Sequence, residues 1–141
     1  MKIRGIQAIT QAQAELRKWA SIMAAYEKQI ATVKRQIGGA SWYPHSSLPI
    51  FSLLSRNAGA SVELYRALRS GPVLDLGCGD GLLGLFVETQ LGIKVCAVDY
   101  PATNFNGMRG VHLLREAVHS KMEIRECDLD ESLDIGEQYA V

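Results

Sequence analysis

From residue 6 to residue 37 the apolar positions fall in two rows. Ile9, Leu16, Met23, Ile30 and Ile37 recur every seven residues, and Ala12, Trp19, Tyr26 and Val33 lie between them. Alternating steps of three and four place both rows on one helical face, so the pattern predicts a long helix over 6–37. Lys34 and Arg35 suit its last turn, and Gly38-Gly39 ends it. The stripe is expected to pack on its own domain; a coiled-coil seam with a second copy is the alternative.

The pattern breaks over 40–49. Ser41-Trp42-Tyr43-Pro44-His45-Ser46-Ser47 reads as a loop, with Pro44 and Pro49 fixing turns. Trp42, Tyr43 and His45 are candidates for a lid or pocket wall, beside the plainer reading of packing at a helix junction. His45 has no partner in the sequence that would make it a base. Phe51, Leu54, Ala58, Val62, Tyr65 and Leu68 return to helical spacing, with Gly59 as the expected point of division. Ser70-Gly71-Pro72 then marks a boundary. Residues 1–71 read as a helical segment and 72–141 as an α/β segment.

The α/β segment opens with the apolar run Val73, Leu74, Leu76, which suits a buried parallel strand. Gly77, Gly79 and Gly81 follow at alternate positions, where glycine permits tight turning and close approach to a ligand. Leu82, Leu83, Leu85, Phe86 and Val87 begin a helix that runs to Gly92. Strand, glycine loop and helix N-terminus together make a nucleotide-type site. The dinucleotide fingerprint wants a glycine where Leu82 stands. Asp75, two residues before the loop, would repel a pyrophosphate and suits a ligand carrying an ammonium and a sulfonium. A second strand over 93–98 ends in Asp99, about twenty residues past the loop, where an acid can accept bonds from both ribose hydroxyls. A helix with Val111, Leu114, Ala117 and Val118 on its apolar face follows, with Asn106 as its cap. The third strand spans 122–127 and leads into Asp128.

At Asp75-Leu76-Gly77-Cys78-Gly79-Asp80-Gly81 the sequence resembles the first motif of the class I S-adenosylmethionine (SAM) dependent methyltransferases. The resemblance covers about 72–130. It implies a Rossmann-like parallel sheet, partial here, with strand order 3-2-1 and an N-terminal helical appendage. It implies SAM as cofactor, held by Asp75, Gly77, Cys78, Gly79 and Gly81, with Asp99 on the ribose and Tyr100 packing on the adenine. Asp128 would accept the adenine amino group and Leu129 would offer its amide; a turn role is the alternative for Asp128. Residues 104–111, Asp128-Leu129-Asp130 and Trp42-Tyr43-Pro44 also resemble a bacterial subgroup that includes relatives of tRNA wobble-uridine modifiers, from which no substrate is carried over. The family core has seven strands. Tyr139-Ala140-Val141 looks like the opening of the fourth, so the chain is expected to be part of a longer enzyme or to rely on a partner.

Charge adds one feature. The net charge is zero, yet residues 1–71 carry ten Lys or Arg against three acids, and residues 72–141 carry five against twelve. The basic half could attract an anionic substrate such as RNA; the alternative is that the halves attract each other or that the charges are solvated faces. The basic residues are scattered and no stacking aromatics are interleaved with them, which favours the alternative. Cys78, Cys96 and Cys127 are odd in number with no Cys-x-x-Cys pair, so buried thiols are expected and neither zinc nor a disulfide framework. No apolar run suits a bilayer span and the start lacks a signal-peptide core, so a cytoplasmic protein with no membrane partner is expected.

The functional expectation is methyl transfer from SAM to an N, O or C acceptor, with no catalytic base identified. The alternatives are a truncated, non-catalytic module that binds SAM or a partner chain, and an NAD-type dehydrogenase, against which Asp75 and Leu82 argue. Self-association through the long helix or an open sheet edge is expected of the isolated chain.

Overall fold

The structure, a computed structural model, describes residues 2–131 together with Asp134, Gly136 and Tyr139, apart from the side chains of residues 2–4 and 48. Ala140 and Val141, where a fourth strand was expected to open, lie outside the described residues.

Helix α1 runs from Lys2–Ile37 and does carry the long apolar stripe. Ala12, Leu16, Trp19, Met23, Tyr26 and Ile30 are buried, while Ile9, Val33 and Ile37 are half-buried. The stripe packs against its own chain, chiefly α2 (Leu48–Leu54) and α3 (Ala58–Ser70). Trp19 meets Tyr65 with ring centroids 5.8 Å apart, and Tyr26 and Phe51 both pack on Phe86 of α4 (Leu82–Leu91). Burial of these large side chains is what holds a 36-residue helix to the rest of the chain.

The helix expected over 51–68 is divided, but not at Gly59. It breaks at Ser55–Asn57. The Ser55 amide donates to Phe51 O, and Asn57 leaves helical geometry while its Oδ1 accepts the Ala60 amide at 3.0 Å. An asparagine N-cap is worth more here than the modest cost of Gly59 in the first turn of α3. Ser61 Oγ, fully buried, donates to Leu54 O and ties the two helices together.

Three parallel strands follow: β1 (Val73–Leu76), β2 (Val95–Asp99) and β3 (Glu123–Glu126), in the order β1-β2-β3. Val73 pairs with Val95, and Asp99 pairs with Glu126. β2 starts two residues later than the pattern predicts: the Ile93 amide still turns back to Val87 O at the end of α4, and the Lys94 carbonyl is the first group to bond across to β1, accepting the Val73 amide. One face of the sheet joins the main core with α1 and α4. On the other, Leu74, Cys96 and Val98 pack with Cys127 and Tyr139. Helix α5 (Arg109–Ala117) buries Val111 and Leu114, but Ala117, expected on its apolar face, is exposed. Among the described residues the three cysteines form no disulfide, and no helix is long and apolar enough to cross a membrane.

Met23 is fully buried, whereas Leu53 is 70% exposed. Met23→Ala is expected to cost about 3 kcal/mol of unfolding free energy, and Leu53→Ala no more than about 0.5 kcal/mol. Urea denaturation of the two variants beside the wild type checks this.

Candidate functional site

The site is built where β1 gives way to α4. The Gly77 and Cys78 amides both donate to Val98 O, which carries the chain off the end of β1 into a loop. Gly77, Gly79 and Gly81 all have φ between 58° and 76°. At Gly81 conformation and space act together: a Cβ there would lie 2.6 Å from Val111 Cγ2. A side chain would push α5 away, so this glycine is required by the packing of α4 on α5. Gly81 thus shapes the loop from beneath. At Gly79 a Cβ would stand 3.6 Å from the Tyr43 ring, which lies over the loop.

Helix α4 starts without a side-chain cap. Its Gly84 amide donates to Asp75 Oδ2 at 3.1 Å. Among the described residues no donor reaches Asp75 Oδ1, and that oxygen is not fully buried, so it is open to a further donor. Burial raises the Asp75 carboxyl from 3.8 to about 6; the Gly84 amide works against this rise and the Asp99 charge adds to it. Burial likewise pushes the Cys78 thiol up, helped by the Asp75 and Asp99 charges, so Cys78 is a neutral packing thiol rather than a thiolate.

Asp99, at the end of β2, is engaged by its own chain. Oδ2 accepts the Gly79 amide at 2.8 Å and Asn104 Nδ2 at 2.9 Å, and Oδ1 accepts the Tyr100 amide at 2.8 Å. A carboxylate has about four acceptor sites, so about one remains for a ligand donor. Asp128 also has a local role: its Oδ1 accepts the Asp130 amide at 3.0 Å, as a turn residue does.

The largest feature missed by sequence reasoning is Asp80. It lies inside the glycine motif, yet motif spacing assigns it nothing. Its carboxylate is buried and takes three bonds from three parts of the chain. Lys34 Nζ of α1 and the Tyr43 amide both reach Oδ2 at 2.8 Å, and Asn106 Nδ2 reaches Oδ1 at 2.7 Å. Lys34 also stands 5.2 Å from the centre of the Trp42 ring. Asn106 completes the clasp from the other side, its Oδ1 accepting the Gly110 amide at the start of α5. Asn106 therefore does cap that helix, though Met108 is the residue at the boundary. Asn104, also unassigned from sequence, bonds Asp99 and Gly79 O and accepts the Met108 amide. A Lys in the last turn of one helix and an acid just before another were the available signals; nothing local says they meet.

Two clefts flank this loop. One, of about 370 Å³, runs from Asp75 through Gly77, Cys78 and Gly79 to Asp80, with Lys34, Tyr43 and His45 on its other wall. The second, of about 140 Å³, is lined by Asp99, Tyr100, Thr103, Asp128, Leu129 and Asp130. The structure thus places Asp75, Gly77, Cys78 and Gly79 on the first cleft and Asp99, Tyr100, Asp128 and Leu129 on the second, while Gly81 lines neither. Tyr43 bridges toward the second, its hydroxyl accepting the Phe105 amide at 2.7 Å. His45 is exposed and lies 6.1 Å from the Tyr43 ring. Among the described residues no cluster of three or more His, Cys, Asp or Glu is placed to hold a metal ion.

No family model matches the chain. It matches no solved structure. Over 88 residues it is 32% identical to a protein named cypemycin N-terminal methyltransferase, from a Streptomyces species. The match covers 61% of this chain and 36% of that protein, so the chain spans about a third of the relative's length.

Two predictions follow from the buried charges. Lys34→Met leaves Asp80 without its cation and is expected to cost about 3 kcal/mol. Adding Asp80→Asn should recover about 1 kcal/mol or more, the mark of a coupled pair; a double-mutant cycle by denaturation measures it. For Asp75, the folded chain holds the proton more tightly than the unfolded chain does. The stabilisation is fully present below about pH 4 and is lost as pH rises through about 6. Asp75→Asn does not titrate, so its stability relative to wild type should rise by about 2 kcal/mol between pH 4 and pH 7. Unfolding curves at four pH values across that range test the sign.

Proposed function

We propose that this chain carries the cofactor-binding part of a SAM-dependent methyltransferase of the class I, Rossmann-like type, acting on an amine. The observation that carries the reading is the open carboxylate oxygen of Asp75 beside a loop of three left-handed glycines, with Asp99 at the end of the next strand. The residues fit the cofactor. A cleft of about 370 Å³ lies within the range of small-molecule sites. Asp75 Oδ1 is the acceptor for an ammonium, and the remaining acceptor site on Asp99 suits a ribose hydroxyl. Tyr100, Asp128 and Leu129 line the adjoining cleft, of the right kind for a purine ring. The amine acceptor comes from the name of the similar Streptomyces protein, an N-terminal methyltransferase.

Bound SAM supplies a methyl group on a positively charged sulfur, already a good leaving group. The chain's task is then to bind, orient and exclude water. Gly77 and Gly79 let the backbone approach the ligand. Tyr43 covers Gly79 and, held by Asp80 through its own amide, closes one wall of the cleft. NAD is disfavoured, because the Asp75 carboxylate stands where a pyrophosphate would need donors and Leu82 replaces the third glycine of that fingerprint.

Titration calorimetry tests the reading. S-adenosylhomocysteine is expected to bind saturably and NAD not to bind. Asp99→Ala, checked for folding, should weaken that binding by about 1.5–3 kcal/mol, the scale of hydrogen bonds to a charged group. Tighter binding of NAD than of S-adenosylhomocysteine would overturn the assignment.

A further inference from the structure

A separate cavity of about 140 Å³ lies between α2, α3, β1 and α4. Phe51, Leu54, Leu64, Leu68 and Val87 are among its apolar lining residues, and among the described residues Asp75 is the ionisable one that lines it. Ile50, Asp75 and Leu83 line both this cavity and the polar cleft along the glycine loop. The two spaces are therefore neighbours across a shared wall. On the outside, Ile50 is 46% exposed, which leaves an apolar side chain at the boundary with the cleft.

An apolar pocket of this size accepts a compact hydrocarbon group; about 150 Å³ holds a benzene ring. A charged or strongly polar group would lose its hydration there without replacement. Any ligand that fills the cavity and also enters the polar cleft must thus be amphipathic, with a compact apolar group next to a polar end.

We propose that this cavity is the acceptor subsite, and that the acceptor is an amine carrying a compact apolar side group of branched-aliphatic or phenyl size. The side group seats among Leu54, Leu64, Leu68 and Val87, and the amine remains in the cleft beyond Ile50 and Leu83. This rests on the methyl-transfer reading of the cleft. It adds what that reading lacks, a physical selection among acceptors: small hydrophilic amines leave the cavity unfilled, and large or charged side groups do not enter.

The test uses the full 141-residue chain with isotope-labelled Leu and Val methyl groups, followed by NMR in saturating S-adenosylhomocysteine. The probes are 3-methylbutylamine and ethanolamine. The expected result is saturable shifts at the Leu54, Leu64, Leu68 and Val87 methyls with 3-methylbutylamine, and binding of ethanolamine at least tenfold weaker. Ala67 also lines the cavity. Ala67→Leu fills part of it and should weaken 3-methylbutylamine at least tenfold while S-adenosylhomocysteine binding stays within twofold. Equal binding of the two amines, shifts that do not saturate, or unchanged amine binding in folded Ala67→Leu overturns the proposal. The wild-type comparison decides the matter if Ala67→Leu does not fold. S-adenosylhomocysteine binding without amine saturation overturns this inference alone. Amine saturation without S-adenosylhomocysteine binding overturns the acceptor assignment together with the methyl-transfer reading.

Discussion

A carboxylate buried at the middle of a glycine loop has to be satisfied, and the way Asp80 is satisfied organises this molecule. Its three donors come from the end of α1, from the backbone at Tyr43 and from Asn106 before α5. Removing any one leaves buried charge or a buried acceptor short of a partner, which is more costly than an exposed pair could be. The clasp therefore holds the helical segment, the aromatic loop and the α/β segment in one arrangement around the glycine loop. Among the described residues, Lys34–Asp80 is also the ion pair that joins the basic half of the chain to the acidic half. Through this pair the charge asymmetry acts inside the molecule.

Packing reinforces the clasp. A Cβ on Gly110 would run into Asp80 Oδ1 and Asn106 Nδ2, so α5 can approach only because glycine stands there. Gly81 against Val111, and Gly84 against Met122 and Asp75, repeat the same constraint along α4. Close approach of two helices to the loop leaves the three carboxylates Asp75, Asp80 and Asp99 in different states. Asp80 is 3% exposed and bonded within the chain through both oxygens. Asp99 is mostly engaged with the chain and keeps about one acceptor site. Asp75 has an open oxygen and a raised pKa near 6. Environment, not residue type, separates a structural acid from those that can meet a ligand.

Much of this was legible in the sequence where the signal is local. The seven-residue stripe identified α1 and its buried face, because helical periodicity is carried by the helix itself. The alternating glycines and the strands around them located the loop, because turn geometry restricts the residues that can stand there. Contacts between distant segments were not legible. Lys34 and Asn106 lie 46 and 26 residues from Asp80, and no local pattern brings them together. The break falls at Asn57 and not at Gly59 because an N-cap outweighs a weak glycine propensity. The local bonds to Asp99 were likewise invisible, since they depend on where Asn104 and the Gly79 amide come to lie.

On the methyl-transfer reading, the clefts that hold Gly79 and Asp99 form one binding site for one elongated ligand. Backbone amide NMR of the wild-type chain during titration with S-adenosylhomocysteine tests it most directly. Gly77, Gly79, Asp99, Tyr100 and Leu129 are expected to shift together along one saturation curve, while Lys18 and Arg69, which line a different cleft, stay still. Shifts confined to the Lys18 and Arg69 side, or separate curves for the Gly79 and Leu129 groups, would contradict it.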